Sequence, residues 1–383
     1  MDEDPLHCPV ARVCGGCVLI DRPYARQLQI KTERVREAFA AWPSLPAERI
    51  EPCQAAAHRR HYRNRGKLAV AHTESGTRVG LHRRGTNEIV DLAPCRVHRP
   101  AVQQGVEQLR RWLDRFSLAR PAGPVFYVDL REAAGERCHL TLVLDRDVEL
   151  DPPALDALLD GWEGLLGVAV NVGNPVSSYP LGPESRAVRG SATFPAPLGS
   201  EPDPLQLEVP AGGFFQVSAS SLSRVHEAMT THLDVGGALY DLYCGVGVHG
   251  IAVAAGALEP VRLRGVEASA ALIESARRNA KRIGVADAGY IAGRVEIVLP
   301  TLIKDEPPGR AILNPGRSGC ARRVIELLSA SSVTRLVYLS CNPTTLARDL
   351  SGLLADGLHL TRVLPFDLMP HTDQVEVLAM LER

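Results

Sequence analysis

The chain has 383 residues, 45% of them apolar and 23% charged, with a formal net charge of −1. That length suits two or three domains with packed cores, and the balanced charge gives no global pull towards nucleic acid. No segment approaches the length of a membrane span, and Met1-Asp2-Glu3-Asp4-Pro5 lacks the basic and apolar pattern of a secretory signal, so a cytoplasmic protein with no membrane partner is expected.

In such a chain, nine cysteines argue for metal binding or catalysis rather than a disulfide framework. The first informative segment is Cys8-Pro9-Val10-Ala11-Arg12-Val13-Cys14-Gly15-Gly16-Cys17. Its thiols can converge on one point, and the paired glycines let the backbone wrap closely around it. A fourth ligand is needed. Cys95, in Ala93-Pro94-Cys95-Arg96, suits by context, and Cys53 competes with it. Zinc and a [4Fe-4S] cluster both fit four thiolates.

An amphipathic helix is predicted from Arg22 to Ala41, ending near Trp42-Pro43. The basic run His58-Arg59-Arg60-His61-Tyr62-Arg63-Asn64-Arg65-Gly66-Lys67, followed by His82-Arg83-Arg84, reads as a phosphate-contacting patch with an interleaved tyrosine or as a solvated face. Lys67 to Thr73 and Arg78 to His82 predict a hairpin around Glu74-Ser75-Gly76-Thr77. Phe126 to Arg131 and Cys138 to Leu144 predict a second strand pair, Gly167 to Val172 another strand, and Pro100 to Arg115 and Pro153 to Leu165 helices. This is an α+β pattern, and the proline-rich stretch 195–204 closes it.

Thereafter strands and helices alternate. Gly237 to Leu242 is an apolar strand running into Tyr243-Cys244-Gly245-Val246-Gly247, with a helix from about Ile251. A second strand, Arg262 to Glu267, closes on an acid. Glycines at the first turn admit a nucleotide-like ligand to the backbone, and the acid can hold ribose hydroxyls. Without a Gly-x-Gly-x-x-Gly run, the pattern favours S-adenosylmethionine over a dinucleotide. Further on, Leu336 to Leu339 stops at Ser340-Cys341-Asn342-Pro343, where a helix begins. A cysteine at the carboxyl end of such a strand faces a cleft, and the following helix favours its thiolate; a small buried thiol is the plainer alternative.

These motifs, in order, resemble those of the RNA (uracil-5-)-methyltransferase family. The set comprises the cysteine group with Cys95, Tyr62 to Lys67, Gly213-Phe214-Phe215-Gln216, Asp241 to Gly247, Gly265-Val266-Glu267 and Asn314-Pro315-Gly316-Arg317. Ser340 to Asp349 and Phe366-Asp367-Leu368-Met369-Pro370-His371-Thr372-Asp373-Gln374-Val375-Glu376 complete it, so the resemblance runs end to end. It implies an α/β protein with three parts. These are an iron–sulfur lobe and helix (residues 1–49), a central α+β RNA-binding domain (50–205) and a Rossmann-like class I methyltransferase domain (206–383).

The resemblance further implies a [4Fe-4S] cluster on Cys8, Cys14, Cys17 and Cys95, and S-adenosylmethionine held by Gln216, Tyr243, Glu267 and Asn314. Cys341 is then the nucleophile and Glu376 the base; by their charge, Arg317 and the 58–67 cluster can hold the phosphates. The expected activity is methylation of carbon-5 of a uridine in 23S ribosomal RNA by a monomer, an EC 2.1.1 reaction. The alternatives are the same chemistry on transfer RNA, or an RNA-binding homologue without methyl transfer. The chain departs from the family's pattern at Gly316, where a second proline is common, at Arg294, near an expected acid, and at Gln374, where histidine is frequent.

Overall fold

The computed structural model describes residues 4–92, 94–177, 179–199, 204–234 and 236–383, without the side chains of 219 and 220. Residues 1–3, Ala93 and residues 200–203 of the expected interdomain stretch thus lie outside the described residues.

Helix α1 (Tyr24–Ala40) precedes strands β1 (Arg65–Thr73), β2 (Gly76–His82) and β3 (Ile89–Asp91). Helix α2 (Pro100–Arg115), β4 (Val125–Glu132), β5 (Cys138–Leu144), α3 (Pro152–Gly161), β6 (Leu165–Val172) and β7 (Ser185–Gly190) follow. A two-stranded sheet, β8 (Thr193–Leu198) with β9 (Leu205–Pro210), comes next. The remainder alternates: α4 (Ala219–Leu233), β10 (Gly237–Leu242), α5 (Val248–Ala255), β11 (Val261–Glu267), α6 (Ala270–Ile283), β12 (Asp287–Ala292), α7 (Val295–Asp305) and β13 (Arg310–Leu313). It ends with α8 (Arg322–Ser329), β14 (Arg335–Ser340), α9 (Pro343–Leu353), β15 (His359–Phe366) and β16 (Glu376–Glu382).

The chain forms two compact units, each assembled from separated stretches. Met1–Arg22, His58–Pro197 and Glu208–Ser218 make the first; Pro23–Ala57, Leu198–Leu207 and Ala219–Arg383 make the second. Helix α1 therefore belongs with the C-terminal sheet, whereas sequence order groups it with the cysteine segment. The reason is its apolar stripe: Val35 and Phe39 enter the same core as Leu336, Tyr338 and Val377.

In the first unit a seven-stranded sheet has the order β3-β2-β1-β4-β5-β6-β7. The β1–β2 hairpin is where the sequence places it, its register closing at Thr73 opposite Gly76. Gly76 adopts φ +104°, which only glycine takes readily in so tight a turn. Strands β4 and β5 pair antiparallel, as expected. Helix α2 buries Val102, Val106, Leu109 and Leu113, a 3.6-residue stripe, in one core with β1 and the strands from β4 to β6. Helix α3 ends at Gly161, earlier than the predicted Leu165, because residues from Leu165 onward pair with β5.

The second unit holds a seven-stranded sheet of order β12-β11-β10-β13-β14-β16-β15. Strands from β10 to β14 are parallel, and β16 inserts antiparallel between β14 and β15. The buried strands read as continuous apolar runs, as Leu336–Leu339 does, because both faces are covered. The chain moves outward from β10 to β12 and then returns to β13. The β10–β13 gap is thus the topological switch point, where open α/β sheets bind ligands at their carboxyl edge. Among the described residues, no helix is long and apolar enough to cross a membrane.

Candidate active site of the parallel-sheet unit

Four of the expected site residues stand at or just past the carboxyl ends of neighbouring strands. Tyr243 follows β10, Glu267 ends β11, Asn314 follows β13 and Cys341 follows β14. Glu376 opens β16, whose register pairs Val377 with Ser340, so the carboxyl-bearing residue stands across from Cys341. Adjacent paired strands lie about 5 Å apart, which brings these positions to one sheet edge.

The turn after β10 is built for close approach. Tyr243, Gly245 and Gly247 all have positive φ, and Gly247 precedes the first turn of α5. A Cβ at Gly247 would meet Ile251 at 2.7 Å and the Tyr290 hydroxyl at 3.0 Å. The Glu267 carboxylate latches this turn: Oε2 accepts from the Gly245 N–H at 3.3 Å and Oε1 from the Ser269 N–H at 3.0 Å. Each oxygen keeps a further lone pair for a ligand hydroxyl. Asp241, fully buried beneath the loop, accepts from the Gly250 N–H at 2.9 Å, and burial pushes its carboxyl up to about 7.

Asn314 has a partner that no sequence pattern marks. Its Nδ2 lies 2.8 Å from Nε2 of His249, and Nδ1 of His249 lies 3.0 Å from Nε2 of His226. Burial pushes His249 down to about 4 and His226 well below its usual value, so both rings are neutral at pH 7. With the amide donating, His249 carries its proton on Nδ1 and donates it to His226, leaving Asn314 Oδ1 free to accept from a ligand.

Cys341 is half-buried between the end of β14 and α9. Asn342 caps α9 through its side chain, accepting from the Thr344 N–H at 3.2 Å, while its amide donates to the Arg317 carbonyl at 2.9 Å. Burial and the Glu376 carboxylate push the Cys341 thiol up; Arg317, hydrogen-bonded to it, opposes them. Burial pushes Glu376 up to about 7 against the same Arg317. One guanidinium therefore serves both groups. At Gly316 a Cβ would meet nothing within 4 Å, so the missing proline leaves open space rather than a strained turn. Arg294 is exposed and ion-paired at 2.5 Å to Glu296, an acid two residues further along the chain.

In the first unit, Gln216 is buried, and its backbone carbonyl accepts from Asn64 Nδ2 at 3.4 Å. Its loop is anchored by the buried Arg131, which donates to the carbonyls of Gly213 at 2.6 Å and Phe215 at 3.3 Å. The three N-terminal thiols, Cys8, Cys14 and Cys17, lie in this unit with Cys95. Arg84 pins their loop by donating to the carbonyls of Ala11, Cys14 and Cys17, and a Cβ on Gly15 would meet the His82 carbonyl at 2.9 Å. Burial pushes Cys17 up to about 12, helped by Cys95, Cys14 and Cys8, so the four thiols are electrostatic neighbours. Soft thiols around a glycine turn fit an iron–sulfur cluster in donor chemistry. Among the described residues, however, no three His, Cys, Asp or Glu side chains form a group that could hold a metal ion.

A sheet of this order, with a glycine turn at its switch point, is the Rossmann-like fold of the class I methyltransferases. The family model for tRNA (Uracil-5-)-methyltransferase matches residues 306–383. An uncharacterized RNA methyltransferase of Thermosynechococcus vestitus is 30% identical over 387 residues, spanning 98% of this chain and 83% of that protein. One of Gloeobacter violaceus is 31% identical, spanning 98% and 82%. The crystal structure of Pyrococcus abyssi tRNA (uracil-54, C5)-methyltransferase in complex with S-adenosyl-L-homocysteine shares the fold, with a TM-score of 0.74 at 22% identity, over 98% of this chain and 87% of that one. The chain belongs to the RNA (uracil-5-)-methyltransferase family, and it is an RNA methyltransferase of the EC 2.1.1 class.

Proposed function

We propose that the protein methylates carbon-5 of a uridine in 23S ribosomal RNA, using S-adenosylmethionine and a covalent adduct on Cys341. The observation that carries the covalent chemistry is the strand pairing that sets Cys341 against Glu376, with Arg317 acting on both. S-adenosylmethionine, when bound, supplies an electrophilic methyl group on a positively charged sulfur. Tyr243, Glu267 and Asn314 at the switch point would hold it, and Gln216 keeps the cofactor role that the resemblance implies.

Carbon-5 of uracil is a weak nucleophile. The Cys341 thiolate adds to carbon-6, and the electrons of the carbon-5–carbon-6 double bond move onto O4 as an enolate. Carbon-5 can then take the methyl group. Glu376 removes the remaining carbon-5 proton, the double bond re-forms, and the carbon-6–sulfur bond breaks to return the thiolate. Arg317 favours the thiolate and offsets the charge of Glu376. A half-buried thiol requires the target base to leave its stack, so a looped or flipped uridine is the expected substrate.

Cys8, Cys14, Cys17 and Cys95 would hold a [4Fe-4S] cluster, and the preference for ribosomal over transfer RNA is what the resemblance implies for a chain with this thiol set. Brown protein after anaerobic purification, with equal iron and sulfide, is expected; colourless zinc protein would overturn that assignment. Transfer RNA is the second reading, supported by the family model's description and the substrate named for the Pyrococcus abyssi enzyme. Nucleoside mass spectrometry of ribosomal and transfer RNA, with and without the gene, separates the readings. Loss of 5-methyluridine from large ribosomal RNA is expected, loss from transfer RNA alone moves the substrate, and no loss from either sinks the enzymatic reading.

A further inference from the structure

The polar face of α1 is unusual in what it buries. Lys31 has no exposed side-chain surface, nor does its partner Asp367, and the two meet at 2.5 Å. Lys31 also donates to the Met369 carbonyl at 3.0 Å. Asp367 Oδ2 accepts from the Tyr24 hydroxyl at 2.9 Å, and that hydroxyl accepts from the Ala56 N–H at 2.9 Å. Gln27 Oε1 accepts from the His371 N–H at 2.9 Å, and Gln27 Nε2 lies 3.3 Å from His371 Nδ1. Arg34 donates to the Asp373 carbonyl at 2.6 Å.

Tyr24, Gln27, Lys31 and Arg34 are spaced three, four and three residues apart, which places them on one face of a helix. All four act on the turn of residues 367–373, between β15 and β16. The turn needs holding. His371 sits at φ +70°, a conformation that a non-glycine residue rarely adopts unless its surroundings impose it. Two residues beyond the turn the chain reaches Val375, and then Glu376 at the start of β16.

A buried ion pair is poor evidence for stability, since burying both charges costs about as much as their attraction returns. It is a good way to fix a geometry. We propose that the α1 stripe, with the Lys31–Asp367 pair at its centre, is a positioning device that aims the Glu376 carboxylate at the carbon-5 proton. The stripe touches neither substrate nor cofactor; it acts through the turn. This rests on the reading of Glu376 as the base. Release of the product is the step that depends on the stripe, and addition of Cys341 and methyl transfer do not.

The consequence is a divided effect. Loss of the stripe leaves cofactor binding and methyl transfer in place but stalls proton removal, so methylated RNA stays bonded to Cys341. The test compares the wild type, Gln27→Leu and the double variant Lys31→Met/Asp367→Asn. The double variant removes both charges together, avoiding the unfolding that one uncompensated buried charge invites. Tritiated methyl from S-adenosylmethionine is followed into ribosomal and transfer RNA from cells lacking the gene, separated into free RNA and denaturant-resistant protein adduct. Affinity for S-adenosylhomocysteine is measured alongside.

Both variants are expected to bind S-adenosylhomocysteine like the wild type and to turn over on the order of ten- to a hundredfold more slowly. They are also expected to accumulate methylated adduct. Wild-type release by both variants overturns the proposal, as does slow turnover without adduct. Absence of methyl uptake by the wild type removes the uridine reading itself and the proposal with it, and is told apart by the wild-type lane alone.

Discussion

Asn314 and His249 are joined at 2.8 Å, side-chain amide to imidazole Nε2, at the switch point of the parallel sheet. The contact requires one uncharged partner to give a proton and the other to accept it. Buried, with His226 behind it, His249 is held neutral and suits an amide better than a carboxylate. The uncharged Asn314 amide is therefore matched with a neutral ring.

Asn314→Asp puts a carboxylate against that ring. The charge favours the imidazolium and is expected to raise His249 from about 4 by about one to three units. Histidine nitrogen chemical shifts, followed through a pH titration, report this directly. An unchanged His249 in the variant would show that the pair is not electrostatically coupled.

Glu376 and Cys341 set the pH dependence of turnover. Glu376 must be ionised to take a proton, and burial holds it at about 7, so activity falls as pH drops through that value. The Cys341 thiol, also pushed up, gains thiolate as pH rises, so the rate continues to climb above 7. The stability effect has the opposite sign. A carboxyl raised on folding binds its proton more tightly in the folded state, so its stabilising contribution is complete below about 4.5 and is lost as pH rises through about 7. Glu376→Gln should thus unfold at higher denaturant than the wild type at pH 8, by up to roughly 3 kcal/mol, and show little gain at pH 4. It should also trap adduct. Urea titrations at the two pH values check the first expectation, and gel-shifted RNA the second.

Most of the fold is legible in the sequence because its elements carry their own punctuation. Pro100 starts α2, Pro343 starts α9, and the 73–76 turn is closed by a glycine in the conformation the turn needs. Alternation of strand and helix after residue 237 gives the parallel sheet, and strand ends mark Glu267 and Cys341, whereas Tyr243 and Asn314 enter only through the family resemblance. What sequence order hides is contact across distance. The Lys31–Asp367 pair spans 336 residues and the His226–His249 pair 23, and neither histidine nor lysine carries a local signal. Helix α1 is read correctly as a helix from its periodicity, but its partner is fixed by a core that forms from the far end of the chain.

Asp129 supports the first unit in a way that removal should expose. Its carboxylate lies 2.6 Å from Arg65 and 3.7 Å from Arg131, all three buried. Burial alone would raise it, yet the two guanidiniums hold it well below the usual carboxylate range. Asp129→Ala leaves two buried cations uncompensated and should cost about 3–5 kcal/mol in urea unfolding. Because Arg131 anchors Gly213 and Phe215, the variant should also be cut faster by protease within residues 213–216. Asp129→Asn, which keeps acceptor capacity, should fall between the two. Equal stability of all three proteins would show that the pair carries nothing.

Cys341→Ala separates chemistry from binding. The thiol adds to the base, whereas the cofactor groups belong to other strand ends, so the variant should bind S-adenosylhomocysteine within a few-fold of wild-type affinity. Turnover should fall by at least on the order of a thousandfold, since Cys341 is the thiol set against Glu376, whereas Cys244 just past β10 is buried and its thiol is pushed well up by that burial. Removing the thiol also removes a group that competes with Glu376 for Arg317, so Glu376 in the variant should titrate lower than about 7. Calorimetry with S-adenosylhomocysteine, methyl incorporation and carboxyl-labelled NMR read the three expectations independently. Full turnover in Cys341→Ala would end the covalent mechanism whatever the other two show.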